Sequence, residues 1–149
     1  MLKVIIADDE RIQREGIAAY IPWGHFNMEV AGCAADGEEA LELVRALHPD
    51  ILITDVKMPI VDGLRLSEIV RQEFPKIRII IISGYEEFEF AKAAIELNAN
   101  AYILKPINMA NLKQKLAEIT QAAEMEFRAN KEMQDMREQL LESRPLLID

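Results

Sequence analysis

Cysteine occurs once, at Cys33, so the chain can form no internal disulfide and no cysteine-based zinc site. Positive charge is short: 17 Lys and Arg stand against 26 Asp and Glu, for a formal net charge of -9. An acidic chain repels nucleic acid, so no direct nucleic-acid contact is expected within these residues. No apolar run approaches the roughly 18 residues that a membrane span needs. A tight run such as Ile79–Ile82 has the length of a buried strand. The start, Met1-Leu2-Lys3-Val4-Ile5-Ile6-Ala7-Asp8-Asp9, meets two acids too early for a signal-peptide core. Neither a Gly-x-x-x-x-Gly-Lys loop nor a Gly-x-Gly-x-x-Gly fingerprint is present, which disfavours nucleotide enzymes. The two histidines, His25 and His48, are not spaced as a metal pair and read as loop residues. These absences together predict a cytoplasmic setting.

What is present is alternation. Short apolar runs at Lys3–Ala7, Glu29–Ala34, Ile51–Thr54, Ile77–Ile82 and Ala101–Leu104 read as strands. Amphipathic patterns near Glu10–Tyr20, Gly37–Leu47, Leu64–Phe74 and Phe88–Leu97 read as helices, and a fifth starts near Met109. Strands alternating with helices predict an α/β fold, a parallel sheet covered on both faces. Near-continuous apolar strands such as Ile77–Ile82 suit burial on both faces. Pro49 and Pro75 are placed to separate helices from the strands that follow. The stretch Pro22–Asn27 is a long link after the first helix, with Trp23 and Phe26 expected to pack it against the sheet.

The tail differs. Residues 117–144 hold no Gly and no Pro and are rich in good helix formers, so the fifth helix is predicted to run on to near Ser143. Ile119, Ala122, Ala129, Met133, Met136 and Leu140 approximate a heptad seam that Glu126 interrupts. Pro145 should stop the helix, and Leu146-Leu147-Ile148 reads as the opening of a further segment. The expected division is a domain over 1–120 and a helical linker over 121–149. Pairing of two chains through the seam would make a homodimer.

Chemistry concentrates at strand ends. Asp8 and Asp9 close the first strand, Asp55 closes the third, and Lys105 ends the fifth. In open α/β sheets ligands bind beyond the carboxyl ends of the strands, where strand order reverses. Taken singly, each acid is a turn residue or a helix cap, and Lys105-Pro106 is a surface loop. That reading does not account for three acids and a lysine at one edge. Clustered carboxylates repel one another unless a cation intervenes, and Mg²⁺ takes one or two carboxylates with waters and phosphate oxygens.

Asp8-Asp9-Glu10, Ile53-Thr54-Asp55-Val56-Lys57-Met58-Pro59, Asp62-Gly63, Ile82-Ser83-Gly84 and Leu104-Lys105-Pro106 together resemble the receiver domain of bacterial two-component response regulators. The resemblance covers roughly residues 1–120. It implies a flavodoxin-like (βα)5 doubly wound sheet of order 2-1-3-4-5, with the extended C-terminal helix added. It implies Asp55 as phosphoacceptor for a sensor histidine kinase, with Mg²⁺ as cofactor. Asp9 would ligate the metal directly, Asp8 mostly through water, and the Lys57 backbone carbonyl and Asp55 would complete the protein ligands. Ser83 is the hydroxyl that turns toward the phosphoryl group, Tyr102 the aromatic switch and Lys105 the phosphate-pairing lysine. By the same resemblance the Lys105–Pro106 peptide is cis.

So read, the chain is a regulatory switch and not a turnover enzyme. The rivals are a receiver-like docking module that works without phosphate and a metal-dependent phosphatase using the same acids. The long link and extended helix resemble receivers fused to AraC-type, YesN-like DNA-binding domains, which would place DNA contact and transcription regulation in an output domain outside these residues.

Overall fold

The structure, a computed structural model of the chain, describes residues 1–84 and 88–143, apart from the side chains of Phe88, Phe90 and Ser143. Five strands form one sheet: β1 Leu2–Ala7, β2 Met28–Ala34, β3 Ile51–Asp55, β4 Arg78–Ser83 and β5 Ala101–Leu104. The five α-helices are α1 Arg11–Tyr20, α2 Gly37–Leu47, α3 Gly63–Glu73, α4 Phe88–Glu96 and α5 Met109–Ser143. The sheet order is β2-β1-β3-β4-β5, every pairing parallel. This is the flavodoxin-like receiver fold with a long C-terminal helix.

The central strands are apolar because both of their faces are covered. Val4, Ile5 and Ile6 of β1, Ile51, Leu52 and Ile53 of β3, and Ile79–Ile82 of β4 are almost completely buried. Their successive side chains alternate between faces. Ile5, Leu52, Ile79 and Ile81 thus join one cluster with Ala40 and Val44 of α2 and Leu66 and Val70 of α3. Helix starts follow capping chemistry. Asp36 accepts from the Glu39 N–H at 2.7 Å and Asp62 from the Arg65 N–H at 2.8 Å, each satisfying a donor left open by the first turn.

The sequence boundaries hold to within a residue or so. The link after α1 is more ordered than a loop: Trp23–Phe26 forms a 3₁₀ turn, Trp23 is buried, and its indole N–H donates to the Ala18 carbonyl at 3.0 Å. His25 lies in that turn. His48 is a left-handed C-cap of α2 at φ 46°, its ring edge-on to Phe74 with centroids 5.3 Å apart. The Lys105–Pro106 bond is cis.

The chain divides into two compact units, Met1–Lys115 and a second beginning at Leu116. In the second unit α5 exposes Met125, Phe127, Met133, Met136, Leu140 and Leu141. The expected stop at Pro145 and the segment Leu146–Ile148 lie outside the described residues. No helix among the described residues is long and apolar enough to cross a membrane.

Candidate functional site

Four strands deliver the site. Parallel pairing sets Ala7 beside Thr54, so the residues that follow β1 meet the end of β3. Asp55 is the last residue of β3 and pairs in register with Ile82, one residue before Ser83. Ser83 pairs in turn with Leu104, one residue before Lys105. Two backbone hydrogen bonds tie these ends together: the Val56 N–H donates to the Ile82 carbonyl at 3.1 Å, and the Lys105 N–H to the Ser83 carbonyl at 2.7 Å.

Asp8, Asp9 and Asp55 each offer a carboxylate oxygen, and these oxygens lie within 4.8 Å of one another. Asp8 and Asp55 are buried while Asp9 is exposed. The Lys105 ammonium donates to Asp55 Oδ2 at 2.9 Å. Beside the acids, Asp9, Val56, Lys57, Met58, Pro59 and Asp62 line an open cleft of about 480 Å³.

Burial sets the electrostatics. It pushes Asp8 up to about 6, against a hydrogen bond from the Glu10 N–H at 2.9 Å that favours the ion. Burial also raises Asp55, with the Lys105 hydrogen bond and charge pulling the other way. For Lys105, burial disfavours the ammonium, but the hydrogen bond and charge of Asp55, helped by Asp8 and Glu10, more than offset it and hold the lysine protonated. Among the described residues, Lys105 is the cation paired with a carboxylate of this three-acid cluster.

The residues fit a hard divalent cation. Asp8 Oδ2 is buried and finds no hydrogen-bond partner among the described residues. A buried polar atom left in that state is costly, and oxygen-only donors at this separation suit Mg²⁺.

Of the residues read from the sequence, Asp8, Asp9, Asp55 and Lys105 come together directly. Ser83 is fully buried at the adjoining strand end, and Tyr102 is half-buried against the core. Lys57 follows on the exposed loop that lines the cleft. The sequence reading missed the residues that hold these in place. The Thr54 hydroxyl donates to the Asp55 carbonyl at 2.9 Å, and Arg14 Nη1 to the Asp8 carbonyl at 2.7 Å. Gly63 packs directly on the Asp55 main chain, where a Cβ would overlap the carbonyl oxygen. Asp62-Gly63 enters the sequence reading only as part of the family's motif, and no local signal distinguishes a glycine needed for space. Ile60, with φ 72°, occupies a left-handed conformation in the same loop that a β-branched residue rarely adopts.

Comparison with known proteins agrees with this architecture. Residues 4–117 match the response regulator receiver domain family. The chain is 42% identical over 119 residues to the uncharacterized transcriptional regulatory protein YesN of Bacillus subtilis (strain 168), covering 80% of this chain and 32% of that protein. It is 41% identical over 114 residues to the transcriptional regulatory protein HptR of Staphylococcus aureus (strain NCTC 8325 / PS 47), covering 76% of this chain and 44% of that protein. The chain thus spans less than half the length of either relative. Among solved structures it resembles the REC domain of AraT, a response regulator from Geobacillus stearothermophilus. That match has a TM-score of 0.80 and 46% identity, over 84% of this chain and 97% of that one. A two-component transcriptional regulator AraC from Clostridium phytofermentans ISDg matches at TM-score 0.75 and 34% identity, over 81% of this chain and 94% of that one. A family match that takes in every strand and the whole acid cluster means that the chain belongs to the response-regulator receiver family.

Proposed function

We propose that the chain is a phosphorylation-dependent signalling switch that accepts a phosphoryl group on Asp55 from a sensor histidine kinase and regulates a transcriptional output. The observation that carries this is the convergence of three carboxylates within 4.8 Å, one of them held by Lys105 at 2.9 Å. Receiver domains are regulatory modules that bind Mg²⁺ at an acidic pocket. Here Asp9, Asp55 and the Lys57 backbone carbonyl would hold the ion, with Asp8 acting mostly through water. Bound Mg²⁺ supplies charge neutralisation for the equatorial oxygens of the transferring group.

The chain's own groups do the rest. An Asp55 carboxylate oxygen forms the new O–P bond as the N–P bond of the kinase's phosphohistidine breaks, and the imidazole leaves with the electron pair. Lys105, already paired with Asp55, stays beside the new phosphoryl oxygens. Ser83 turns toward the same oxygens and donates from its hydroxyl. These contacts exist in one arrangement only, so phosphate biases a two-state equilibrium. Movement of Ser83 makes room for Tyr102 to turn and changes the face built from α4, β5 and the start of α5. We read residues 1–120 as the receiver and 121–149 as a signalling helix, with a second copy of the chain as the partner of that helix. DNA contact belongs to an output domain of the kind the AraC-type relatives' names suggest. The chain works in the cytoplasm as a switch, with slow self-dephosphorylation at most.

A small phosphodonor with Mg²⁺ tests the reading. The chain should gain one phosphoryl group by mass, and Asp55→Asn should gain none. Undiminished labelling of Asp55→Asn would move the site elsewhere. An unlabelled wild type would favour a docking module, and steady release of phosphate from an added ester would favour a phosphatase.

A further inference from the structure

Arg71, half-buried on the last turn of α3, does something its place on an amphipathic helix does not announce. A guanidinium has five N–H donors in a fixed fork, and the structure supplies five acceptors. Nη1 donates to the carbonyls of Pro75 at 2.8 Å and Ile77 at 2.7 Å. Nη2 donates to the Asn98 carbonyl at 3.2 Å and to Asn100 Oδ1 at 3.4 Å, and Nε to the Leu97 carbonyl at 3.4 Å. All five acceptors are neutral oxygens. Burial accordingly weakens the arginine's hold on its proton relative to an exposed one. Three acceptors lie just past the C-terminal end of α4, where the helix dipole also favours a cation.

The C-terminal end of α4 is therefore firmly anchored. At the C-terminal end, Asn98 takes the left-handed conformation at φ 59°, the Leu97 and Ala99 N–H groups close back on Ala93 and Ala94, and the Arg71 fork clamps the carbonyls. Asn100 bolts the same turn to β4: its side-chain oxygen accepts from the Ile79 N–H at 2.9 Å and its own N–H donates to the Ile79 carbonyl at 2.8 Å. Arg71 is itself rooted in the core, since α3 buries Leu66, Ser67 and Val70. The described side chains of the helix are lightly packed. Ala94 is the only fully buried side chain among those described, and Ile95 is exposed. A nine-residue helix cannot hold itself together in water, so its anchorage decides how it can move.

We propose that Arg71 is a positioning residue that pins the C-terminal end of α4 to α3 and β4, making that end the fixed pivot of the phosphate-driven rearrangement. A displacement at Ser83 then reaches α4 as a tilt about Leu97–Ala99 and not as a slide of the whole helix. The inference rests on the switch reading above, but its first arm does not need phosphate.

The test is residue-by-residue amide hydrogen exchange on the full chain, for wild type, Arg71→Gln and Arg71→Lys, each with and without beryllofluoride and Mg²⁺. Without the analogue, Arg71→Gln should speed exchange at the Leu97, Asn98 and Ala99 amides about tenfold or more, the usual scale for losing charge-assisted hydrogen bonds. Amides of β1 and β3 should stay within about twofold, because opening there is a global event. Arg71→Lys, which keeps the charge but not the fork, should fall between. With the analogue, wild type should change at the N-terminal half of α4 and hold at Leu97–Ala99, while Arg71→Gln should change at both ends. Unaltered exchange at Leu97–Ala99 in the variants overturns the proposal. So does equal acceleration in β1 and β3, which would make the fork a general stabiliser. Should Arg71→Gln fail to fold, Arg71→Lys decides. A wild type that takes no phosphoryl group and ignores the analogue sinks the switch reading, and the analogue-free comparison still decides the anchor.

Discussion

Gly63 and Asp55 are in main-chain contact: the first residue of α3 sits where a methyl group on its α-carbon would collide with the carbonyl oxygen of the last residue of β3. The Gly63 N–H also donates to the Val56 carbonyl at 2.7 Å. Helix α3 is thereby locked to the strand end that presents the acceptor carboxylate. The neighbour is backbone and cannot step aside as a flexible side chain could. Gly63→Ala should cost at least the roughly 1–3 kcal/mol of an overpacked core, read from urea unfolding, and should slow labelling of Asp55 because the strand end must shift. A variant as stable and as reactive as wild type would show that the contact relaxes freely.

Asp8 is a stored electrostatic cost. Its carboxyl is raised from 3.8 to about 6. For an acid raised by folding, the contribution to stability is fully present below the unfolded value near 3.8 and is lost as pH rises through about 6. At pH 7 in the absence of divalent cation the ion opposes folding. Asp8→Asn removes that charge and keeps an oxygen for the Glu10 N–H. It should stabilise the metal-free protein at pH 7 by about 1–3 kcal/mol, with the difference vanishing below about pH 4. Millimolar Mg²⁺ should narrow the difference, since a ligand that binds the native state stabilises it. Asp9→Ala should remove most of the Mg²⁺ response. Identical urea midpoints for wild type and Asp8→Asn at pH 7 without Mg²⁺ would refute the first part, and an undiminished Mg²⁺ response in Asp9→Ala the second.

Ile60 holds φ 72° with its side chain 71% exposed. A β-branched residue pays about 1–3 kcal/mol for such backbone, and here no buried contact offsets it. Ile60→Gly relieves the strain against the extra freedom glycine gives the unfolded chain, about 0.5–1 kcal/mol. The expected net is a gain of about 1 kcal/mol. Ile60→Ala, which keeps a Cβ, should gain much less. An Ile60→Gly variant less stable than Ile60→Ala would show that the loop carries no strain.

The contrast between what could and could not be read in the residues has a physical basis. Strands such as Ile79–Ile82 are legible because a strand buried on both faces has no option but continuous apolar residues. The acids are legible because turn or cap chemistry, adequate for each alone, does not account for three of them at one edge of the sheet. The order β2-β1-β3-β4-β5 was not written in any one strand and came from the resemblance. Ile60 was illegible because its type argues against its conformation. Gly63 was illegible because a glycine kept for space looks like one kept for a turn. Arg71 was illegible because four of its five acceptors are main-chain carbonyls, contributed by residues up to 27 positions away, and carbonyls leave no mark in a sequence.

The last prediction concerns α5, which runs from Met109 to Ser143 without interruption. Residues three and four apart share a helical face, so Met125, Ala129, Met133, Met136 and Leu140 form one stripe. The four larger members are 57–69% exposed. Met125 fills the gap between Ala122 and Ala129 in the seam read from the sequence, with Glu126 beside it. Each such side chain gains about 1.5–3 kcal/mol when fully buried, which a second copy of the same helix can provide in parallel register. Association on that stripe should make the chain dimerise at micromolar concentrations, whereas a chain ending at Thr120 stays monomeric. Glu126→Leu should tighten the dimer about tenfold or more, because it replaces a charge at the margin of an apolar seam. Sedimentation of all three, with and without beryllofluoride and Mg²⁺, decides. If the full chain and the Thr120-terminated chain are both monomers in every condition, the stripe is not a dimer interface.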